Sequence, residues 1–224
     1  MKYPVLLAVY VLALFAFAIF NIVSRVFYKN RHKDKYHFYN MFPYEFNYPS
    51  VFKENPYGNF LFIFSGFAVA VFYILNPHTE SMYRTIAIIA AIAFTMVLIC
   101  LIMMPLYYLK THMVLSIGST ILAMVLPLFN LFLALAQRKT GLLNQAQDVL
   151  AIISIVVSGI LSAVMLLLIL NPKLSFKIYY EKAVDVNGKE IMKRPKVIYL
   201  ALNEWMSIFV YFLSPLGVLL ISLI

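Results

Sequence analysis

Six long apolar runs, separated by short charged or aromatic stretches, divide the chain: Pro4–Ser24, Asn59–Leu75, Thr85–Leu109, Met113–Gln137, Val149–Asn171 and Val197–Ile224. Only Glu204 interrupts the last of them. A helix that crosses a bilayer needs about 20 mainly apolar residues, with roughly 17 to 25 tolerated. Each run meets that requirement. The pattern predicts helices over about 4–27, 58–76, 85–109, 112–137, 147–171 and 197–224. The fold class expected is therefore all-α: a polytopic transmembrane bundle of six helices forming a single integral membrane domain over 1–224. Between the third and fourth runs, Pro105, Tyr107, Tyr108, Lys110 and His112 mark a tight interfacial turn. The first run, with Lys2 ahead of it, looks like a signal peptide. It exceeds the 7 to 15 residues of a signal core, however, and lacks a small-residue cleavage site, so it is read as a retained helix.

The polar stretches differ in kind. Residues 28–57 are dense in Tyr and Phe and broken by Pro43, Pro49 and Pro56. Proline stops a helix, and such aromatic content suits the headgroup layer. An interfacial loop tucked against the bundle is expected, with a partial lid carrying Glu45 inward as the sharper alternative. Residues 172–196 contain Asn187-Gly188 between short alternating runs. That dipeptide favours the two-residue turn of a hairpin, so a small β-hairpin is predicted in the last loop.

Composition agrees with lipid as the solvent. The 224 residues are 63% hydrophobic and 12% charged, where a soluble domain is nearer half apolar and a quarter charged. The net charge of +9 comes from residues that lie between the apolar runs, which reads as topology rather than a nucleic-acid footprint. Lys2, Arg84, Arg138 and Lys139 fall on one side, and the other fourteen Lys and Arg on the opposite side. Basic residues near helix ends stay cytoplasmic. The bias predicts a cell-membrane protein with loops 28–57 and 172–196 cytoplasmic and both termini external.

Candidate chemistry is sparse. The lone Cys100 has no partner for a disulfide, and no P-loop, HExxH, GxSxG or GxGxxG motif is present. No cofactor and no metal are expected. Within the membrane, Ser154, Ser158 and Ser162 recur every four residues with Gly159 beside them, and Gly66 with Ala70 forms a similar stripe. Small residues at this spacing let helix backbones approach closely, so both stripes are read as packing faces. Ala87, Ala91 and Thr95 extend the same logic to the third helix.

Glu204 is the exception. It lies roughly 10 Å inside the start of the sixth run, and ionisable groups at such depth face the bundle and mark candidate sites. His112 opens the fourth run on the same membrane side. A polar pocket of Glu204, His112, Asn203, Trp205, Glu45 and Tyr108 is the expected arrangement, with Trp205 read as an interfacial anchor.

The stretch "NPYGNFLFIFSG", the pair Thr111-His112 opening the fourth helix and Glu204-Trp205 entering the sixth resemble the Frag1/DRAM/Sfk1 family and its DUF998 bacterial relatives. The resemblance implies a six-helix membrane protein tied to lipid handling or membrane organisation, without settled enzymatic activity. It also implies cytoplasmic termini, opposite to the charge count. Three classes of function follow. A lipid-handling or small-solute protein needs a cavity near Glu45, His112 and Glu204. A structural or accessory subunit needs an outward-facing small-residue stripe. An integral membrane enzyme would use Glu204 and His112 as its acid and base. The expected partners are membrane lipids, with other membrane proteins or a second copy of the chain as alternatives, and no nucleic acid.

Overall fold

The computed structural model describes residues 3–33, 35–47, 54–76, 81–103, 109–174, 181–184 and 189–222. Among the described residues, six helices are long and apolar enough to cross a membrane. They are α1 (Tyr3–His32), α2 (Pro56–Leu75), α3 (Ser81–Met103), α4 (Leu109–Lys139), α5 (Gln145–Ile169) and α6 (Tyr199–Ser222). One short strand pair joins them, β1 (Glu181–Val184) and β2 (Glu190–Lys193).

Helix α1 runs further than the apolar pattern suggested. It continues through Arg25, Lys29 and Arg31 to His32, and Lys33 then closes it at φ +53 with its N–H on the Lys29 carbonyl. Thirty residues span about 45 Å, against a hydrocarbon core of about 30 Å, so the basic turns extend beyond the lipid. The polar connection shortens accordingly. Helix α2 begins where Asn55 caps it: the Asn55 side chain accepts from the Gly58 N–H, with Pro56 in the first turn. Asn55 also donates to Ser24 of α1 at 2.7 Å. A Cβ at position 58 would stand 2.3 Å from Asn55 and 2.4 Å from Ser24, so only glycine permits this junction. At the other membrane side, Asn144 and Gln147 form a reciprocal capping box at the start of α5.

Sequential helices pack as neighbours, and α6 inserts among α1, α2, α4 and α5. Its apolar window is 72% buried, against 22% for α5. Around this central helix the outer surface is apolar. Phe15, Ile22, Phe60, Ile89, Val114, Phe132, Val156 and Leu167 all face outward, as they should when hydrocarbon surrounds the bundle.

The expected turn at residues 104–108, including Tyr108, lies outside the described residues, but α3 ends at Met103 and α4 starts at Leu109. Pro127 and Pro215 sit within α4 and α6. The Asn130 amide donates to the Ser214 carbonyl at 2.7 Å, which supplies a partner beside Pro215.

The strands pair antiparallel with Val184 opposite Glu190. An odd number of residues, 185–189, separates these two positions, whereas a two-residue turn on Asn187-Gly188 requires an even number. The hairpin is present, but its register differs from the one the dipeptide suggested.

Candidate functional site

Helix α4 presents His112, Ser116 and Thr120 at successive four-residue steps, all buried. Opposite them α6 presents Asn203 and Glu204, also buried. His112 Nε2 stands 2.9 Å from Glu204 Oε1, with both side chains fully enclosed. Beside this pair, Asn203 Nδ2 donates to Thr120 Oγ1, two turns past His112, at 2.6 Å, and Thr120 donates its hydroxyl hydrogen to the Ser116 carbonyl at 2.8 Å. Because that hydrogen is committed, the Thr120 oxygen must accept, which fixes Asn203 with its amide nitrogen toward Thr120. Ser207 completes the seam by donating to the Asn203 carbonyl. The Ser116 hydroxyl lies beside the Glu204 carboxylate. Yet Glu204 Oε2, Ser116 Oγ and Asn203 Oδ1 are buried with no hydrogen-bond partner among the described residues.

The aromatic connection after α1 folds over this seam. A single 3-10 turn, Pro43–Asn47, forms its centre. Phe42 and Tyr44 set their rings edge-on to the His112 imidazole, at 5.9 and 5.7 Å between centroids. Phe46, Tyr36 and Phe38 enclose Trp205. The Trp205 indole donates to the Met41 carbonyl at 2.9 Å and to the Tyr36 hydroxyl at 3.0 Å, and Tyr36 donates onward to the Phe42 carbonyl at 2.7 Å. Burial pushes the Tyr36 hydroxyl well above its ordinary pKa, and Glu45 adds to the shift, so Tyr36 remains a donor. Asn47 reaches the Ile102 carbonyl at the end of α3, and the Ile198 N–H reaches Tyr39 just ahead of α6. The segment is a cap stitched to three helices.

Two expectations change here. Glu45 does not point into the seam. It accepts two bonds from Arg194, at 2.6 and 2.8 Å, and one from the Phe42 N–H at 2.6 Å. A guanidinium fork matches a carboxylate better than a carboxylate matches a second buried carboxylate. Nor is Trp205 an exposed interfacial anchor: it is fully buried beneath the cap, because its N–H finds acceptors in the cap's own backbone.

Beside the seam a cleft of about 150 Å³ opens between α4, the end of α5 and the start of α6. Ser116, Thr120 and Asn203 form its inner wall, while Ile117, Ile121, Ile169, Leu174 and Leu200 form its apolar sides. Ile117 and Ile121 also face outward, so the cleft opens on the lipid side of α4. Ser116, Thr120, Arg194 and Leu200 were not singled out in the sequence. The signal for Ser116 and Thr120 was the four-residue step from His112, a row that only helical spacing brings together.

The small-residue stripes lie elsewhere. Ser154 donates to the Gly217 carbonyl of α6 at 2.9 Å, and a Cβ on Gly217 would stand 2.5 Å from the Ser158 hydroxyl. Ser162 bonds back to Ser158. Gly159 takes no part, since a Cβ there would meet nothing within 4 Å; it lies off the stripe's face. Gly66 and Ala70 lie on the inner side of α2, with Gly66 3.1 Å from the Thr95 methyl by the same measure. Thr95 and Tyr211 join their hydroxyls at 2.7 Å beside the Gly66 carbonyl.

Among the described residues no group of three or more His, Cys, Asp or Glu side chains could hold a metal ion. No family model, curated protein or solved structure matches the chain.

Proposed function

We propose that this multi-pass protein binds the apolar chain of a membrane lipid or small amphiphile in the cleft between α4, α5 and α6. The observation that carries the reading is the cleft itself: apolar sides opening on the lipid-facing surface, backed by the polar seam. A cavity of about 150 Å³ lined by aliphatic side chains takes a benzene-sized guest, which corresponds to a segment of one acyl chain. In this reading Glu204 and His112 are positioning residues that hold α6 against α4 and so keep the cleft open. Their enclosure beneath Phe42 and Tyr44 favours that role over acid–base catalysis. The accessory-subunit reading called for a small-residue stripe facing outward, and the serine stripe of α5 instead packs on α6.

The test is lipid retention. Purified in a mild detergent, the native chain is expected to carry lipid detectable by native mass spectrometry. Ile121→Trp at the cleft's lip and Leu200→Trp in its wall should each displace that lipid. Unchanged retention in a folded Ile121→Trp protein would overturn the reading.

We also place the cap and the last loop on the cytoplasmic side, from the fourteen-to-four bias of basic residues. Single cysteines at Lys33, Lys189 and Arg138, labelled by an impermeant maleimide in intact cells, should react only at 138.

A further inference from the structure

At one end of the cleft the chain turns sharply. Asn171 Oδ1 accepts the Lys173 N–H at 2.9 Å, and the Leu174 N–H returns to the Asn171 carbonyl at 2.9 Å. This turn folds Leu174 back onto the cluster of Phe42, Ile198 and Leu200, where it becomes part of the cleft wall. Its neighbour Lys173 is left exposed, with its ammonium 6.0 Å from the centroid of the Tyr199 ring. Tyr199 in turn precedes Leu200, the other wall residue. Leu174 and Leu200 are therefore each preceded by one member of a cation–aromatic pair, which sets that pair next to the cleft wall.

We infer that the cleft takes the chain of an anionic lipid and that Lys173 receives its headgroup. The inference rests on the binding role proposed above and names the class of guest. The apolar sides receive the hydrocarbon, so any charge on the guest stays at the rim. Deeper placement of an anion is disfavoured because the inner wall of Ser116, Thr120 and Asn203 offers it no positive charge. At the rim the charge balance is the reverse. Lys173 is exposed there, and a basic residue at a membrane surface draws anionic headgroups toward it. The Tyr199 ring face lies 6.0 Å from the ammonium, within reach of a weak cation–aromatic attraction.

Three single-chain probes with the same tail separate the possibilities: palmitoyl lysophosphatidylglycerol, palmitoyl lysophosphatidylcholine and monopalmitoylglycerol. They are offered in equal amounts to the full chain in a nonionic detergent and counted by native mass spectrometry. The anionic probe should be bound about fivefold more than either of the others, the scale of one basic residue at a membrane surface. Lys173→Gln should bring that ratio close to one, and Lys173→Arg should keep it. Equal binding of all three probes by the native chain would overturn the anionic assignment, as would a preference that survives Lys173→Gln. If Ile121→Trp leaves all three bound as before, the cleft is not the site and this inference falls with the reading it rests on.

Discussion

The two halves of α6 solve the same problem by different means. The half near the cap carries Asn203 and Glu204 and meets α4 through polar side chains, leaving Glu204 Oε2 and Asn203 Oδ1 without partners among the described residues. The far half carries Ser214 and Gly217 and meets α4 and α5 through backbone carbonyls, with Asn130 on Ser214 and Ser154 on Gly217. Close backbone contact is the cheaper way to join helices in lipid, because it buries no charge and fills space with small residues. A buried ionisable pair is weak evidence for stability, since desolvation offsets most of its attraction. The costlier arrangement is the one that adjoins the cleft. Stability alone does not require Glu204 there.

The largest effect is expected where the costly half is broken. Glu204→Leu removes the partner that faces the enclosed His112, and the loss should be about 3–5 kcal/mol, typical of breaking a buried pair. Glu204→Gln keeps a hydrogen-bonding group and should lose about 1 kcal/mol. Thermal unfolding in detergent measures both. Equal losses would mean that the charge, rather than the hydrogen bond, holds the two helices.

The cheap half is broken by filling it. Gly217→Val drives carbon into the Ser158 hydroxyl, a contact already set at 2.5 Å for a bare Cβ, and should destabilise by about 1–3 kcal/mol. Gly159→Ala on the same helix as Ser158, but facing open space, should be neutral or stabilise by up to about 1 kcal/mol. Comparable melting temperatures for these two variants would remove the close α5–α6 approach from the account.

Smaller changes sharpen the contrast. Trp205→Phe keeps the aromatic packing and loses only the indole bonds to Met41 and Tyr36. It should cost about 1 kcal/mol and speed hydrogen exchange over residues 36–47 more than in α5. Exchange rising equally in both places would mean that the cap is not separately pinned by Trp205. Tyr211→Phe removes the hydroxyl that meets Thr95, and about 0.6 kcal/mol is the usual size of such an interhelical bond in a membrane. A loss as large as that of Glu204→Leu would place the centre of the bundle, and not its capped end, in charge of stability.

What could be read in advance follows from the solvent. Lipid demands long uncharged runs, so the six helices were visible as such, and so few groups can ionise within them that Glu204 had few possible partners besides His112. The α1 terminus lies beyond the apolar run because charge ends a membrane span but not a helix: past the lipid, water tolerates Lys29 and Arg31 on a continuing helix. An aromatic loop tucked against the bundle was legible, but not how that cap is pinned. Its bonds join residues as far apart as Glu45 and Arg194 or Tyr36 and Trp205, and no local pattern records such distant pairings. The cleft was hidden for the same reason, since Leu174 reaches it only through the turn at Asn171.

The central position of α6 bears on the order of assembly. The ribosome delivers this helix after the other five, so the earlier helices enter the bilayer before Glu204, Tyr211 or the Gly217 carbonyl exists for His112, Thr95 and Ser154. The aromatic cap is made long before Trp205, the residue that pins it. A chain interrupted ahead of residue 199 therefore displays hydroxyls and an imidazole to lipid that the finished protein conceals. Such a display is a ready mark by which membrane quality control could tell an unfinished copy from a finished one.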